Sequence, residues 1–86
     1  MALITSYSPL PISFTRGEGV WLYAQDGTAY LDSFSGIAVC GLGHAHPDVT
    51  KTIQEQAGKL VHTSNAFHIA AQEKLAEKLI HIAHME

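Results

Sequence analysis

The chain has 86 residues, 47% hydrophobic and 15% charged, with a formal net charge of −3. Soluble domains average about 25% charged residues, and a chain this short buries only about 60–65% of its unfolded surface. We therefore expect part of its apolar surface to pack against a further part of a longer chain or a second subunit.

Composition also excludes two classes of partner. Five lysines and arginines form no basic stripe that could neutralise phosphates, which argues against nucleic acid. No apolar run approaches the roughly 20 residues that span a membrane, and the N-terminus lacks a signal-peptide pattern. The single cysteine, Cys40, cannot form an internal disulfide. These features predict a cytoplasmic protein without membrane or nucleic-acid partners.

Residues 1–19 are predicted to form an extended arm and a turn. Pro9 and Pro11 interrupt a stretch that has no helical period. The run Arg16-Gly17-Glu18-Gly19 is typical of a turn because glycine adopts the backbone conformations that turns require.

Residues 20–46 are predicted to form a small antiparallel sheet. Two runs rich in β-branched and aromatic residues, 20–23 and 29–34, flank the pair Asp26-Gly27. An Asp-Gly pair between such runs is a strong β-hairpin signal. The following stretch, from Phe34, is predicted to be strand-like and to pass through a glycine turn.

Residues 47–86 are predicted to form two helices. Pro47 suits a first helical position, and apolar residues then recur at helical spacing from Val49. A second apolar stripe predicts a helix over roughly residues 71–83. No glycine or proline follows to end this helix, so we expect the natural chain to continue past Glu86.

The residues alone do not form a complete catalytic set. Six histidines raise the alternative of a metal site, with His44 and His46 as the first candidates, but one cysteine and no clustered carboxylates make a poor zinc pattern. Gly41 and Gly43 precede a helix that could hold an anion, but Asp48 already supplies negative charge in its first turn. We therefore expect the histidines to serve as caps and hydrogen-bonding groups, and no residue of this chain to be catalytic.

An ordered set of short motifs extends along almost the whole chain. The motifs are Tyr7-x-Pro9-x-Pro11, Arg16-Gly17-Glu18-Gly19-Val20-Trp21-Leu22-Tyr23, Asp26-Gly27, Tyr30-Leu31-Asp32, Ser35-Gly36-Ile37-Ala38-Val39, Gly43-His44-x-His46-Pro47 and His62-Thr63-Ser64-Asn65-x-Phe67. Together they resemble the N-terminal segment of class III pyridoxal-phosphate aminotransferases, in particular the acetylornithine (succinyldiaminopimelate) branch.

The resemblance implies the N-terminal part of a fold-type I transferase that works as a homodimer. It also implies amino transfer from N-acetylornithine to 2-oxoglutarate in arginine and lysine biosynthesis, with pyridoxal 5'-phosphate as the electron sink. The lysine that holds the cofactor would lie in a large domain beyond this segment. The chain alone is therefore expected to be inactive and not to bind the cofactor.

The resemblance also suggests substrate-binding residues. Ile37 matches a residue that lines the substrate side of the pocket, and Ser64, Asn65 and His68 match a loop that reaches the active site. His68 departs from the family, which commonly has tyrosine there. These residues could instead only pack the subunit boundary.

Two alternatives stay open at the level of sequence. The chain could be a stand-alone α+β binding module, with histidines that bind metal. It could also belong to another aminotransferase branch, such as the ornithine or 4-aminobutyrate enzymes, because the determinants of substrate choice would lie mostly downstream.

Overall fold

The computed structural model of the chain describes residues 2–85. Met1 and Glu86, the outer ends of the predicted arm and helical part, lie outside them. The chain divides into two units, Met1–Thr52 and Ile53–Glu86. The first unit contains the three-stranded sheet and the 34–47 stretch that follows it. The second contains most of the helical residues.

Three antiparallel strands form one sheet in the order β1-β2-β3: Phe14–Glu18, Trp21–Ala24 and Ala29–Leu31. The predicted hairpin is confirmed, because β2 pairs with β3 across the Asp26-Gly27 turn. Asp26 closes this turn by accepting a hydrogen bond from the backbone N–H of Thr28 at 3.0 Å. Gly27 has a φ of 88°, a left-handed conformation that favours glycine.

Strand β1 was not predicted. Residues 14–18, which the sequence assigned to the arm and turn, pair with β2, with an irregularity in register between Phe14 and Arg16. Two side-chain contacts hold β1 against the rest of the sheet, one with β3 and one with β2. The ring of Phe14 meets that of Tyr30 edge to face at 5.7 Å, and the Arg16 guanidinium lies 3.7 Å from the centre of the Tyr23 ring. Because these contacts join residues of different strands, they favour a strand where the local sequence alone predicts a turn.

The stretch after β3 also differs from the prediction. The sheet ends at Leu31 instead of continuing towards residue 46, and Ser35–Ala38 form a single helical turn, α1. The backbone returns to the sheet only at His44, which bridges to Gly19. The predicted strand-like entry is therefore wrong, whereas the glycine turn before the helix is present.

Both predicted helices are confirmed, as α2, Pro47–Ala57, and α3, Ala70–Ala83. His46 precedes α2 and its Nδ1 accepts the backbone N–H of Asp48 at 3.2 Å, which caps the helix. The end of α3 is also capped, contrary to expectation. His84 adopts a left-handed φ of 54°, and the N–H of Met85 returns to the carbonyl of Ile80.

Apolar side chains are mostly exposed in both units. Among the described residues Ala24 is the one buried hydrophobic residue, with 9% of its surface accessible. Large apolar side chains are exposed along the arm, the 34–42 stretch and both long helices. Since large apolar side chains of soluble proteins are mostly buried, this exposure fits the expected packing against further protein. No helix within residues 2–85 is both long and apolar enough to cross a membrane.

Candidate functional site

The turn α1 is left-handed. All four of its residues have positive φ: 54° at Ser35, 61° at Gly36, 63° at Ile37 and 61° at Ala38. Its hydrogen bonds have helical spacing, since the N–H of Ala38 reaches the carbonyl of Phe34 and the N–H of Val39 reaches that of Ser35, at 3.4 and 2.8 Å. We call Ser35–Ala38 the left-handed turn.

This turn stores backbone strain. A left-handed helical conformation costs about 1–2 kcal/mol per L-residue, so the three residues other than Gly36 together cost roughly 3–6 kcal/mol. Ile37 departs furthest from its preferred backbone conformation, because its β-branched side chain crowds a left-handed backbone. Such conformations persist where the surrounding structure fixes them, and they cluster at functional sites.

Asp32 anchors the start of the left-handed turn. Its Oδ1 accepts the backbone N–H groups of Phe34 and Ser35, each at 2.9 Å. Its Oδ2 accepts a hydrogen bond from Nε2 of His44 at 2.6 Å. The carboxylate side chain is only 6% exposed. The N–H of Ser35, then His44 and then the N–H of Phe34 lower the pKa of Asp32, which keeps it ionised.

His44 is itself fixed to the sheet. Its backbone exchanges two hydrogen bonds with Gly19, at 2.8 and 3.0 Å. Its side chain packs directly on Gly17 of β1, where a Cβ atom would lie 2.6 Å from the His44 Cβ. Gly43 lies equally close to Gly19, since a Cβ there would stand 2.8 Å from the Gly19 carbonyl oxygen. Two of the glycines in the sequence motifs are therefore required for close backbone contact.

An open groove lies beside this cluster. It has a volume of about 560 Å³ and a mostly apolar lining that includes Leu22, Phe34, Gly36, Asp32 and His44. The lining contains no lysine or arginine. The groove, the left-handed turn and the Asp32–His44 pair thus form one site within Met1–Thr52. His44 was expected from the sequence to form hydrogen bonds, whereas Asp32 lay within a motif and had no predicted role.

The predicted substrate-binding residues fall in both units. Ile37 lies on the left-handed turn and is 76% exposed. Ser64, Asn65 and His68 lie in the exposed segment between α2 and α3. Ser64 has a φ of 72° and its Oγ accepts the N–H of Ala66 at 3.2 Å. The Nδ1 of His68 lies 3.6 Å from a carboxylate oxygen of Glu73.

The histidine geometry does not favour the metal-binding alternative. His44 already donates Nε2–H to Asp32, and His46 already accepts a backbone N–H with Nδ1. Within residues 2–85, no three His, Cys, Asp or Glu side chains are grouped as a metal site. These two histidines instead have the capping and hydrogen-bonding roles expected from the sequence.

Comparison with known proteins identifies the family. The family described as aminotransferase class-III matches residues 3–86. The chain belongs to the class-III aminotransferases. It is 49% identical over 84 residues to the acetylornithine aminotransferase of Nitrosomonas europaea. The aligned region covers 98% of this chain and 21% of that protein.

Solved structures agree with this membership in the class-III family. The crystal structure of acetylornithine aminotransferase from Elizabethkingia anophelis aligns with a TM-score of 0.89 at 32% identity, over 96% of this chain and 22% of that one. The Stenotrophomonas maltophilia N-acetylornithine aminotransferase aligns with a TM-score of 0.78 at 46% identity, over 84% of this chain and 20% of that one. The chain therefore has the fold of part of a class-III aminotransferase, and it spans about a fifth of the length of these relatives.

Class-III aminotransferases depend on pyridoxal phosphate, but the described residues do not fit a site for it. Covalent attachment needs a lysine that is activated, for example by desolvation in an apolar pocket. The four lysines, Lys51, Lys59, Lys74 and Lys78, are all exposed. The groove beside the left-handed turn offers an apolar wall and one carboxylate that is already engaged. Among the described residues, this segment therefore offers a pocket wall and shows no group placed to hold the cofactor.

Proposed function

We propose that the chain is the N-terminal segment of an acetylornithine aminotransferase that transfers the amino group of N-acetylornithine to 2-oxoglutarate. The observation that carries the proposal is the 49% identity to the Nitrosomonas europaea enzyme over nearly the whole chain. The proposed enzyme works in arginine and lysine biosynthesis, in the cytoplasm and as a homodimer. Pyridoxal phosphate, bound by the remainder of the enzyme, supplies the electron sink for amino transfer.

The segment's own role is to pack against the rest of the enzyme and to enclose the substrate pocket, and it contributes no catalytic residue. Exposed apolar side chains on the arm, the 34–42 stretch and the helices supply surface for the large domain and the second subunit. Ile37 is proposed to line the substrate pocket, and Ser64, Asn65 and His68 to form a loop that reaches an active site. Excluding water from that pocket strengthens the polar interactions inside it.

A chimera tests this proposal. The matching 84 residues of the Nitrosomonas europaea enzyme are replaced by this chain, and the product is called the chimera below. We expect the purified chimera to show the visible absorbance of bound pyridoxal phosphate and to transfer amino groups from N-acetylornithine to 2-oxoglutarate. The same enzyme without its N-terminal segment is the control and is expected to be inactive.

The outcome also distinguishes the branches of the family. The Plasmodium falciparum ornithine delta-aminotransferase aligns with a TM-score of 0.85 at 30% identity, so ornithine is the substrate to compare. A chimera that binds cofactor but prefers ornithine over N-acetylornithine would contradict the acetylornithine assignment. A chimera with neither cofactor absorbance nor activity would contradict the proposed function as a whole.

A further inference from the structure

The left-handed turn is held by one carboxylate. The strand β3 ends at Leu31, and Asp32 follows it directly, so its position is set by the sheet. The N–H of Asp32 also donates to the carbonyl of Val20 at 2.7 Å. Oδ1 of Asp32 then accepts hydrogen bonds from the first two backbone N–H groups of the 34–38 stretch, those of Phe34 and Ser35. The unfavourable backbone of the turn therefore starts from a fixed point.

The second oxygen of the carboxylate ties the turn to the other edge of the sheet. Oδ2 accepts a hydrogen bond from Nε2–H of His44, and the His44 backbone is bridged to Gly19, next to β1. The His44 side chain is 20% exposed and rests on Gly17. Asp32 and His44 thus connect the turn to β1 and β3 at once. We call this pair the clasp.

The clasp and the turn border the same groove. Asp32, Phe34, Gly36 and His44 all contribute to its lining. A strained segment next to a groove, fixed by a nearly buried and hydrogen-bonded carboxylate, is the arrangement expected where a binding surface must keep one shape. A packing surface alone would be satisfied by a relaxed, right-handed backbone.

We propose that Asp32 and His44 are positioning residues that hold the left-handed turn in the shape required to bind substrate. The inference rests on the proposed function, because the bound molecule is the amino donor of that enzyme. Neither residue touches reacting atoms in this proposal. Loss of the clasp lets Ser35–Ala38 relax towards favoured backbone angles, which displaces the wall of the groove.

The test uses the chimera with Asp32→Ala and the milder Asp32→Asn. Since displacement of a positioning element by about 1 Å can lower catalytic efficiency 100-fold, we expect Asp32→Ala to raise KM for N-acetylornithine about tenfold or more. We expect kcat to change far less, because the change removes binding and not chemistry. Asp32→Asn keeps an oxygen for the two N–H groups and should have a smaller effect.

A second substitution separates positioning from general destabilisation. Ala38→Gly removes the penalty of positive φ at residue 38, so the turn needs the clasp less. Added to Asp32→Ala or Asp32→Asn, it should restore much of the lost affinity. Val39→Gly is the matched control, because Val39 already has a favourable φ of −97°. It should restore nothing.

The results that would overturn the inference are distinct from those that overturn the proposed function. If the chimera is active and both Asp32 variants have its KM for N-acetylornithine, the clasp has only a packing role, even where the variants have a lower Tm. Equal rescue by Ala38→Gly and Val39→Gly would also contradict positioning of the turn. An inactive unsubstituted chimera would contradict the proposed function and this inference together.

Discussion

Replacing Gly17 by alanine tests the packing that supports the candidate site. A Cβ atom at residue 17 would stand 2.6 Å from the Cβ and 2.7 Å from the Cγ of His44. Ordinary van der Waals contact begins near 3.4 Å. The His44 Cβ is next to the backbone, and that backbone is bridged to Gly19, so it cannot swing aside. The sheet and His44 must separate by nearly 1 Å.

Overpacking of this kind typically destabilises a protein by about 1–3 kcal/mol. Each kcal/mol lowers Tm by about 2–4 °C in domains of 150–250 residues and by less in a longer protein. We therefore expect the chimera with Gly17→Ala to melt at least about 1 °C lower than its parent. Movement of His44 should also weaken its hydrogen bond to Asp32, so KM for the amino donor should rise in parallel.

Gly41→Ala is the matched control. Residue 41 lies in the same stretch, but a Cβ there meets nothing within 4 Å and its φ is not in the left-handed range. Differential scanning calorimetry of the two variants should show a fall in Tm for Gly17→Ala alone. An unchanged Tm with Gly17→Ala, or equal losses in both variants, would refute the close packing of His44 on β1.

Three further predictions concern the same unit. Because hydrogen bonds lower the pKa of Asp32, its stabilising contribution is complete above its ordinary value of 3.8 and is lost as the pH falls through the lower folded pKa. The Tm difference between the chimera and its Asp32→Asn variant should therefore be full at neutral pH and shrink in acid; a difference that grows in acid would contradict this sign. His46→Ala should destabilise α2 by about 0.5–2 kcal/mol through loss of the cap on Asp48, and His46→Asp should retain most of the stability, as measured by urea denaturation. Gly43→Ala should lower Tm more than Gly41→Ala, because residue 43 has both a φ of 84° and a carbonyl oxygen 2.8 Å from the added Cβ.

The elements that the sequence predicted correctly are those set by neighbouring residues. Asp26 and Gly27 specify a hairpin turn through a side-chain cap and a positive φ, and both operate within four residues. Pro47 specifies the start of α2 through its own ring. Family membership was also accessible, since it depends on the order of short motifs.

The elements that the sequence missed depend on residues far apart in the chain. Strand β1 contains glycine because His44 occupies the space above Gly17, which a local pattern interprets as a turn. Ile37 has a left-handed backbone conformation, which a β-branched residue disfavours. The shape of the left-handed turn depends on Asp32 and His44, which are twelve residues apart. Conflict between local preference and observed conformation is expected at functional sites.

The central claim is that this chain is a segment completed by the body of an aminotransferase, and co-expression tests it most directly. A tagged copy of the chain is produced together with the Nitrosomonas europaea enzyme lacking the matching 84 residues. We predict that the two polypeptides purify as one complex that transfers amino groups from N-acetylornithine to 2-oxoglutarate, while each alone is inactive. Separate purification, with the chain a folded monomer and the body inactive in its presence, would contradict the account.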